Sequence, residues 1–320
     1  KMTDMLLEAR DLLLYRGLTD NGAGGLSSSV GEMAQLAGGC RIDLARVPLK
    51  YAGLDPWEIL ISEAQERMTV AVPPDQLDAF LQLARRRGVE AAALGNFTST
   101  GRFHVLHGER TVALLELEFL QRGDPPYRLT ARLERKSFEE PNPELASHGQ
   151  ALREMLSRLN LCSGEAKARQ YDHEVQANSA VKPLHGRGRV NALASVIRPV
   201  PNSKKGVVLS QGLYPSYSEI DPYRMAACSI DTALRNAVSV GGSLKKLALL
   251  DNFCWCDSDN PERLWQLREA AQACYDYAVA YGTPYISGKD SMYNDFRGFD
   301  DNFDPVSISV PPTLLISSIG

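Results

Sequence analysis

The sequence predicts an α/β protein of two domains, and three observations carry that expectation. Segments of helical period alternate with short runs rich in Val, Ile and Leu, the pattern of helices and strands sharing a core. The length, 320 residues, suffices for two separate cores. A charged stretch with two prolines, RKSFEEPNP from Arg135 to Pro143, breaks the pattern near the middle. The boundary drawn there gives a first domain of residues 1–135, a connection of 136–193 and a second domain of 194–320.

In chain order, Met5, Leu6, Ala9, Leu12 and Leu13 open a helical face with no strand before it. Gly17 to Met33 follows, GLTDNGAGGLSSSVGEM, a strand, a glycine-rich turn and a helix whose apolar face reads Leu26, Val30, Met33 and Leu36. Cys40 to Leu49 is a short strand and turn, and Trp57 to Pro73 ends in a β-branched strand. Asp75 to Arg87 is a helix with Leu77, Phe80, Leu81 and Ala84 on one side and a solvated arginine run at its end. Strands at 91–97, 102–106 and 111–117 complete this half. Beyond the break, 144–161 reads as a helix packing Leu152, Met155, Leu156 and Leu159 inward. In the polar segment after it, Asp172 and His173 adjoin, read as a structural pair because no nucleophile accompanies them. The second α/β unit has strands at 195–200 and 207–211 and a helix from Asp221-Pro222, a cap followed by proline. A strand at 247–250 ends in Asp251-Asn252, a helix spans 262–281, and a strand at 284–287 ends in Gly288-Lys289-Asp290-Ser291.

Composition excludes several classes. The net charge is −4 and no basic run appears, so no nucleic-acid footprint is expected. No apolar stretch approaches 20 residues and no secretory leader pattern opens the chain, so the expectation is a cytoplasmic protein without a membrane span. The six cysteines are scattered, and the one close pair, Cys254 and Cys256, lacks the companions of a metal site, so reduced thiols are expected.

Three polar sets carry candidate chemistry. Asp20 precedes Gly22, Gly24 and Gly25, which admit a close backbone approach; N–H groups opening a helix favour an anion, and a carboxylate beside it suits a bridging Mg²⁺. The second set is Ser62 to Arg67, SEAQER, charged after an apolar run. The third combines Asp251 with Gly288, Lys289, Asp290 and Ser291 at two strand ends, where α/β folds place ligands. Carboxylates with glycine, lysine and serine suit a nucleotide whose phosphates are bridged by Mg²⁺. Neither a P-loop nor a dinucleotide glycine motif is present, so such a site has an unrelated design.

Seven strings in order, TDNGAGGLSSSVGEMA, ISEAQERM, YDHEVQ, YSEIDPYRMA, ALRNAVSVGG, LALLDNFCW and SGKDSMYN, span nearly the whole chain. They resemble the synthetase subunit of the phosphoribosylformylglycinamidine synthase family, in the aminoimidazole ribonucleotide synthetase superfamily. That family's large subunit has two tandem halves, each an N-domain followed by a C-domain. The resemblance implies the C-domain of a first half followed by the N-domain of a second, whose sheet is covered by helices on one face. It implies an interior piece of a longer protein, with domains missing on either side and a glutaminase domain or subunit as partner. By the same resemblance Asp20 would bind Mg²⁺, Glu63, Ala64 and Gln65 the ribonucleotide substrate, Asp251 and Gly288 ATP, and Ser291 substrate or nucleotide. Two departures stand out. Lys289 occupies the place of a metal-binding asparagine in smaller relatives, which shifts the ligand role to Asp290. Thr232 replaces a glutamate four residues before Asn236, a weaker partner for an auxiliary metal there. The implied reaction is ATP-dependent activation of the amide of formylglycinamide ribonucleotide, then ammonia attack to give the amidine. The family's catalytic histidine lies outside this chain, so the piece alone is expected to be inactive. Its lone N-domain sheet is expected to self-associate into a homodimer. The competing expectations are a nucleotide-holding scaffold module without turnover, or another ATP-dependent enzyme of the superfamily.

Overall fold

The computed structural model describes residues 1–320 except Asp124, Glu134, Arg135, Leu145, Ala146, Asp172 and Val175, and it leaves out the side chain of Gln121. The chain divides into two compact units, 1–127 and 128–320.

The first unit runs α1 (Met2–Asp11), β1 (Gly17–Asp20), α2 (Gly25–Ala37), β2 (Cys40–Asp43), α3 (Pro56–Ile61), β3 (Met68–Ala71), α4 (Leu77–Arg87), β4 (Gly95–Phe97), β5 (Arg102–His107), β6 (Arg110–Glu116) and α5 (Leu117–Arg122). Several helix ends have a local cause. Pro56 opens α3 inside a capping box in which Glu58 accepts from the Asp55 N–H at 2.7 Å. Gly38 and Gly88 end α2 and α4 in the left-handed conformation. β2 lies between β4 and β5 in a four-stranded sheet, and β1 pairs antiparallel with β3. Leu26, Val30 and Ala34 of α2 bury against Cys40, Ile42, Phe103 and Val105 of that sheet. A second core joins Met5 and Ala9 of α1 to Phe80, Leu83 and Ala84 of α4. The expected face of α2 is corrected at one end: Leu36 is 93% exposed, because the helix buries the narrower stripe 26–30–34. On α4, Leu83 takes the buried place expected for Leu81, and its terminal Arg86 and Arg87 grip Glu8 of α1.

The second unit runs α6 (His148–Ser157), α7 (Glu165–Gln170), β7 (Ser179–Val181), β8 (Leu184–His185), β9 (Val190–Asn191), β10 (Ala194–Ile197), β11 (Val207–Leu213), α8 (Pro222–Ser239), β12 (Ala248–Cys254), α9 (Pro261–Tyr281), β13 (Tyr285–Ser291), β14 (Asp295–Phe299), β15 (Pro305–Ser309) and β16 (Thr313–Ile319). Its six-stranded sheet is ordered β13-β12-β16-β11-β10-β7, with β12 and β13 parallel. Asp221 caps α8 by accepting from the Arg224 N–H at 2.9 Å, with Pro222 in the first turn, as the sequence predicts. α8 and α9 cover one face, burying Met225, Ile230, Leu234, Ala270 and Ala273 against Val208, Leu249, Phe253, Leu314 and Ile316. The approach is close because Gly212 of β11 has no side chain: a Cβ there would lie 2.0 Å from the Ser229 carbonyl oxygen.

Two expectations fail in the second unit. α6 is shorter than residues 144–161, and Leu152, Met155, Leu156 and Leu159 are exposed rather than packed inward. The strands carrying the third polar set do not stop before it. β12 continues through Asp251 to Cys254 and β13 through Gly288 to Ser291, because they pair with each other along those residues. Asp172 of the expected Asp172–His173 pair lies outside the described residues, as does Arg135 of the expected boundary. No helix among the described residues is long and apolar enough to cross a membrane.

Candidate functional site

In the first unit, the end of β1 delivers Asp20 beside the glycine turn, and the segment after α3 folds back onto that turn. Gly25, at φ +56°, makes this possible: a Cβ there would sit 2.3 Å from the Ser62 carbonyl oxygen. The Gly22 N–H donates to Asp20 Oδ1 at 2.8 Å and the Gly24 N–H to Glu63 Oε1 at 3.3 Å. Asp20 and Glu63, 43 positions apart in sequence numbering (63 − 20), therefore hold neighbouring N–H groups of one turn. These are the donors that an anionic ligand would engage. The Ser62–Arg67 segment is fixed by Arg67, which donates to the Ala64 carbonyl at 3.1 Å and also to that of Ser62. Gln65 stays exposed and its amide reaches only the Glu63 carbonyl, at 3.4 Å.

Beneath the turn lies a buried network not singled out from the sequence. Asn21 Oδ1 accepts from Ser29 of α2 and from Thr69 Oγ1 of β3 at 2.8 Å, and Ser29 and Thr69 meet at 2.9 Å. It ties strand, turn and helix together, so Asp20 leaves a braced backbone. The one signal was compositional: small polar residues where an apolar helix face was expected.

In the second unit, the parallel pairing sets Asp251 opposite Gly288 and Phe253 opposite Asp290. Asp251 also pairs with Ile316, which is buried under the helices, so the Asp251 carboxylate is on the helix-covered side. A Cβ on Gly288 would meet Asp251 Oδ1 at 2.2 Å, so glycine leaves room for the carboxylate on that side. Strand alternation puts Asp290 there too and sends Lys289 and Ser291 to the opposite side, in register with Asn252 and Cys254. Burial pushes the Asp251 carboxyl above its ordinary range, and the nearby charge of Asp290 adds to the rise. Ser291 is engaged by Asn294, whose side-chain amide donates to it at 3.1 Å. On α8, Asn236 donates to the Gln211 carbonyl at 3.1 Å, and Thr232 one turn earlier meets the Tyr214 hydroxyl at 2.9 Å.

Among the described residues no group of three or more His, Cys, Asp or Glu side chains converges as a metal cage. Mg²⁺ held jointly with a nucleotide uses one or two carboxylates and takes its other ligands from phosphates and water. The pair Asp251 and Asp290 in one unit, and Asp20 with Glu63 in the other, have that chemistry. The cysteines are free, and burial raises the Cys40 and Cys274 thiols to about 11, which keeps them inert.

Comparison with known proteins gives these two units a family. Residues 1–108 match "AIR synthase related protein, C-terminal domain" and residues 192–309 match "AIR synthase related protein, N-terminal domain". The chain belongs to the AIR synthase-related family, with the C-terminal type of domain preceding the N-terminal type. Within that family it is similar to phosphoribosylformylglycinamidine synthase subunit PurL. It is 35% identical to the Methanothermobacter marburgensis protein over 98% of this chain and 42% of that relative. With the Thermoplasma acidophilum protein the identity is 34%, over 100% of this chain and 41% of the relative. The chain thus spans about two fifths of the length of these relatives. Among solved structures, PurLQS from Thermotoga maritima and T. maritima PurL complexed with ADP each superpose with a TM-score of 0.74, at 25% identity, over 99% of this chain and 48% of theirs. T. maritima PurL complexed with ATP matches with a TM-score of 0.70, at the same identity and coverage.

Proposed function

We propose that this chain is a portion of a PurL-type synthetase subunit and contributes ligand groups to ATP-dependent conversion of formylglycinamide ribonucleotide to its amidine. The observation that carries the reading is likeness along the whole chain, in sequence to PurL subunits and in fold to PurL complexes with ADP and ATP. In the second unit, Asp251 and Gly288 contact ATP and Asp290 is the carboxylate for a phosphate-bridging Mg²⁺. In the first unit, Asp20 is the carboxylate for a second Mg²⁺. Mg²⁺ supplies neutralisation of phosphate charge when bound. Glu63, Ala64 and Gln65 orient the ribonucleotide, with Ala64 offering no hydroxyl, and Ser291 makes a further contact. Asn236 donates its amide N–H to a backbone carbonyl and keeps Oδ1 for a metal, but Thr232 one turn earlier on its helix face stands in place of a carboxylate, which leaves an auxiliary metal there one strong ligand short. The partners are the remaining domains of the longer polypeptide and a glutaminase that supplies ammonia, in the cytoplasm. The chain alone binds part of the ligand set and positions it, but completes no turnover.

The test is calorimetric titration of Mg-ATP into this chain and into its Asp251→Ala variant. Binding to the first that weakens at least about tenfold in the second is the expected result. Equal binding by both would remove Asp251 from the site. Turnover by this chain alone with ammonia as donor would overturn the claim that it lacks the catalytic group.

A further inference from the structure

Exposed large apolar side chains crowd the connection after the first unit: Tyr127, Leu129, Leu133, Phe138, Leu159 and Leu161 all face solvent. α6 adds an ordered stripe, with Leu152, Met155 and Leu156 exposed by 57%, 50% and 59%. Their spacing is i, i+3 and i+4, one face of the helix, while Gln150 and Glu154 pair on the other. No residue of α6 is buried, and the helix has only 10 residues. A helix of that length is marginal in water without tertiary packing. Upstream, the connection is held to the second unit: Lys136 Nζ lies 2.8 Å from Glu262 and 3.1 Å from Glu219, and the Arg132 N–H donates to the Pro261 carbonyl at 2.9 Å. α6 therefore follows an anchored segment and presents an apolar stripe that no described residue of the second unit covers.

We infer that this stripe docks into an apolar groove on the part of the longer polypeptide outside this chain. The inference rests on the proposed reading of the chain as a portion of a PurL-type subunit. The chain spans 42% of its Methanothermobacter relative, so more than half of such a polypeptide is available to supply the groove. A second copy of this chain fits less well. Two ten-residue helices packed together bury far less than the roughly 1,200 Å² of a stable association. A groove tethered on the same polypeptide acts at high effective concentration and needs no such area.

Hydrogen exchange at residues 148–161, followed by mass spectrometry, tests this in the 320-residue chain and in the full-length polypeptide. Fast, concentration-independent exchange is expected in the short chain. Protection at least about 100-fold higher is expected in the long one, lost in a Met155→Asp/Leu156→Asp variant. Should that variant fail to fold, Leu156→Ala gives a graded partial loss. Equal exchange in both proteins would overturn the inference. So would protection in the short chain that rises with its concentration, which would make the occupant a second copy. Amidine formation by the full-length protein tests the underlying reading separately. Turnover with α6 unprotected defeats only the docking, and protection without turnover defeats only the function.

Discussion

Asp251, proposed above as an ATP contact, is the residue at which folding and ligand binding would pull in opposite directions. Its carboxyl is raised by burial first and by Asp290 second. A carboxyl whose folded value exceeds its unfolded value stabilises the fold while protonated, and that contribution is lost as pH rises through the folded value. At neutral pH the ionised group therefore costs stability unless a cation or a donor sits beside it. Asp251→Asn is expected to raise the unfolding midpoint of the ligand-free chain at pH 7, by roughly 0.5 kcal/mol or less once solvent screening of this half-exposed group is allowed for. The gain should vanish near pH 3, where Asp251 itself carries the proton. Thermal melts of both proteins at the two pH values decide the matter, and a loss of stability at pH 7 would refute the account. Two carboxylates on one side of neighbouring parallel strands are costly for a purely structural purpose, which is why the pair reads as a ligand site.

Among the elements, the glycine turn between β1 and α2 was legible because its chemistry is local: Asp20, three glycines and a helical period follow one another in sequence. The meeting of that turn with Glu63 was not, because it depends on the Ser62 carbonyl passing over Gly25, a long-range contact. Gly25→Ala puts a Cβ against a backbone oxygen at a left-handed φ, and is expected to cost at least about 2 kcal/mol. The loss should appear as a lower denaturant midpoint at unchanged slope, whereas a neutral outcome would mean the Ser62 segment moves freely. The ends of β12 and β13 were misjudged for a related reason. Polar side chains look like a strand's end in sequence, yet parallel pairing to a neighbour carries the backbone through them. α6 shows the opposite error: its apolar period is real over Leu152, Met155 and Leu156, but the helix stops at Ser157 and that face is not packed inward. The cap of α8, by contrast, was readable from Asp221-Pro222 alone, since capping needs nothing beyond its own first turn.

For the molecule as a whole, the face of the six-stranded sheet turned away from α8 and α9 sets the expected behaviour in solution. α8 and α9 bury one side, and strict alternation along β11 turns Leu209 and Leu213 to the other, where both are exposed. Leu250, Leu315 and Ile319 lie half-buried on the same side, in register with their neighbours across β12, β16 and β11. On this face the apolar side chains alternate with Gln211, Asn252 and Ser317, a mixed surface of the composition that protein–protein contacts have. We propose that two copies of this chain associate through it, a self-complementary contact of the sort a two-fold dimer uses. Sedimentation of the wild-type chain should show a dimer growing in at roughly 10–100 µM. Leu209→Glu/Leu213→Glu should stay monomeric there with at most a small drop in its unfolding midpoint, because neither side chain is buried in the monomer. Met155→Asp/Leu156→Asp, on α6, should leave the dimer intact. A wild-type chain that stays monomeric through that range would remove the sheet face as a contact, and loss of the dimer in the α6 variant alone would move the contact to the connecting helix.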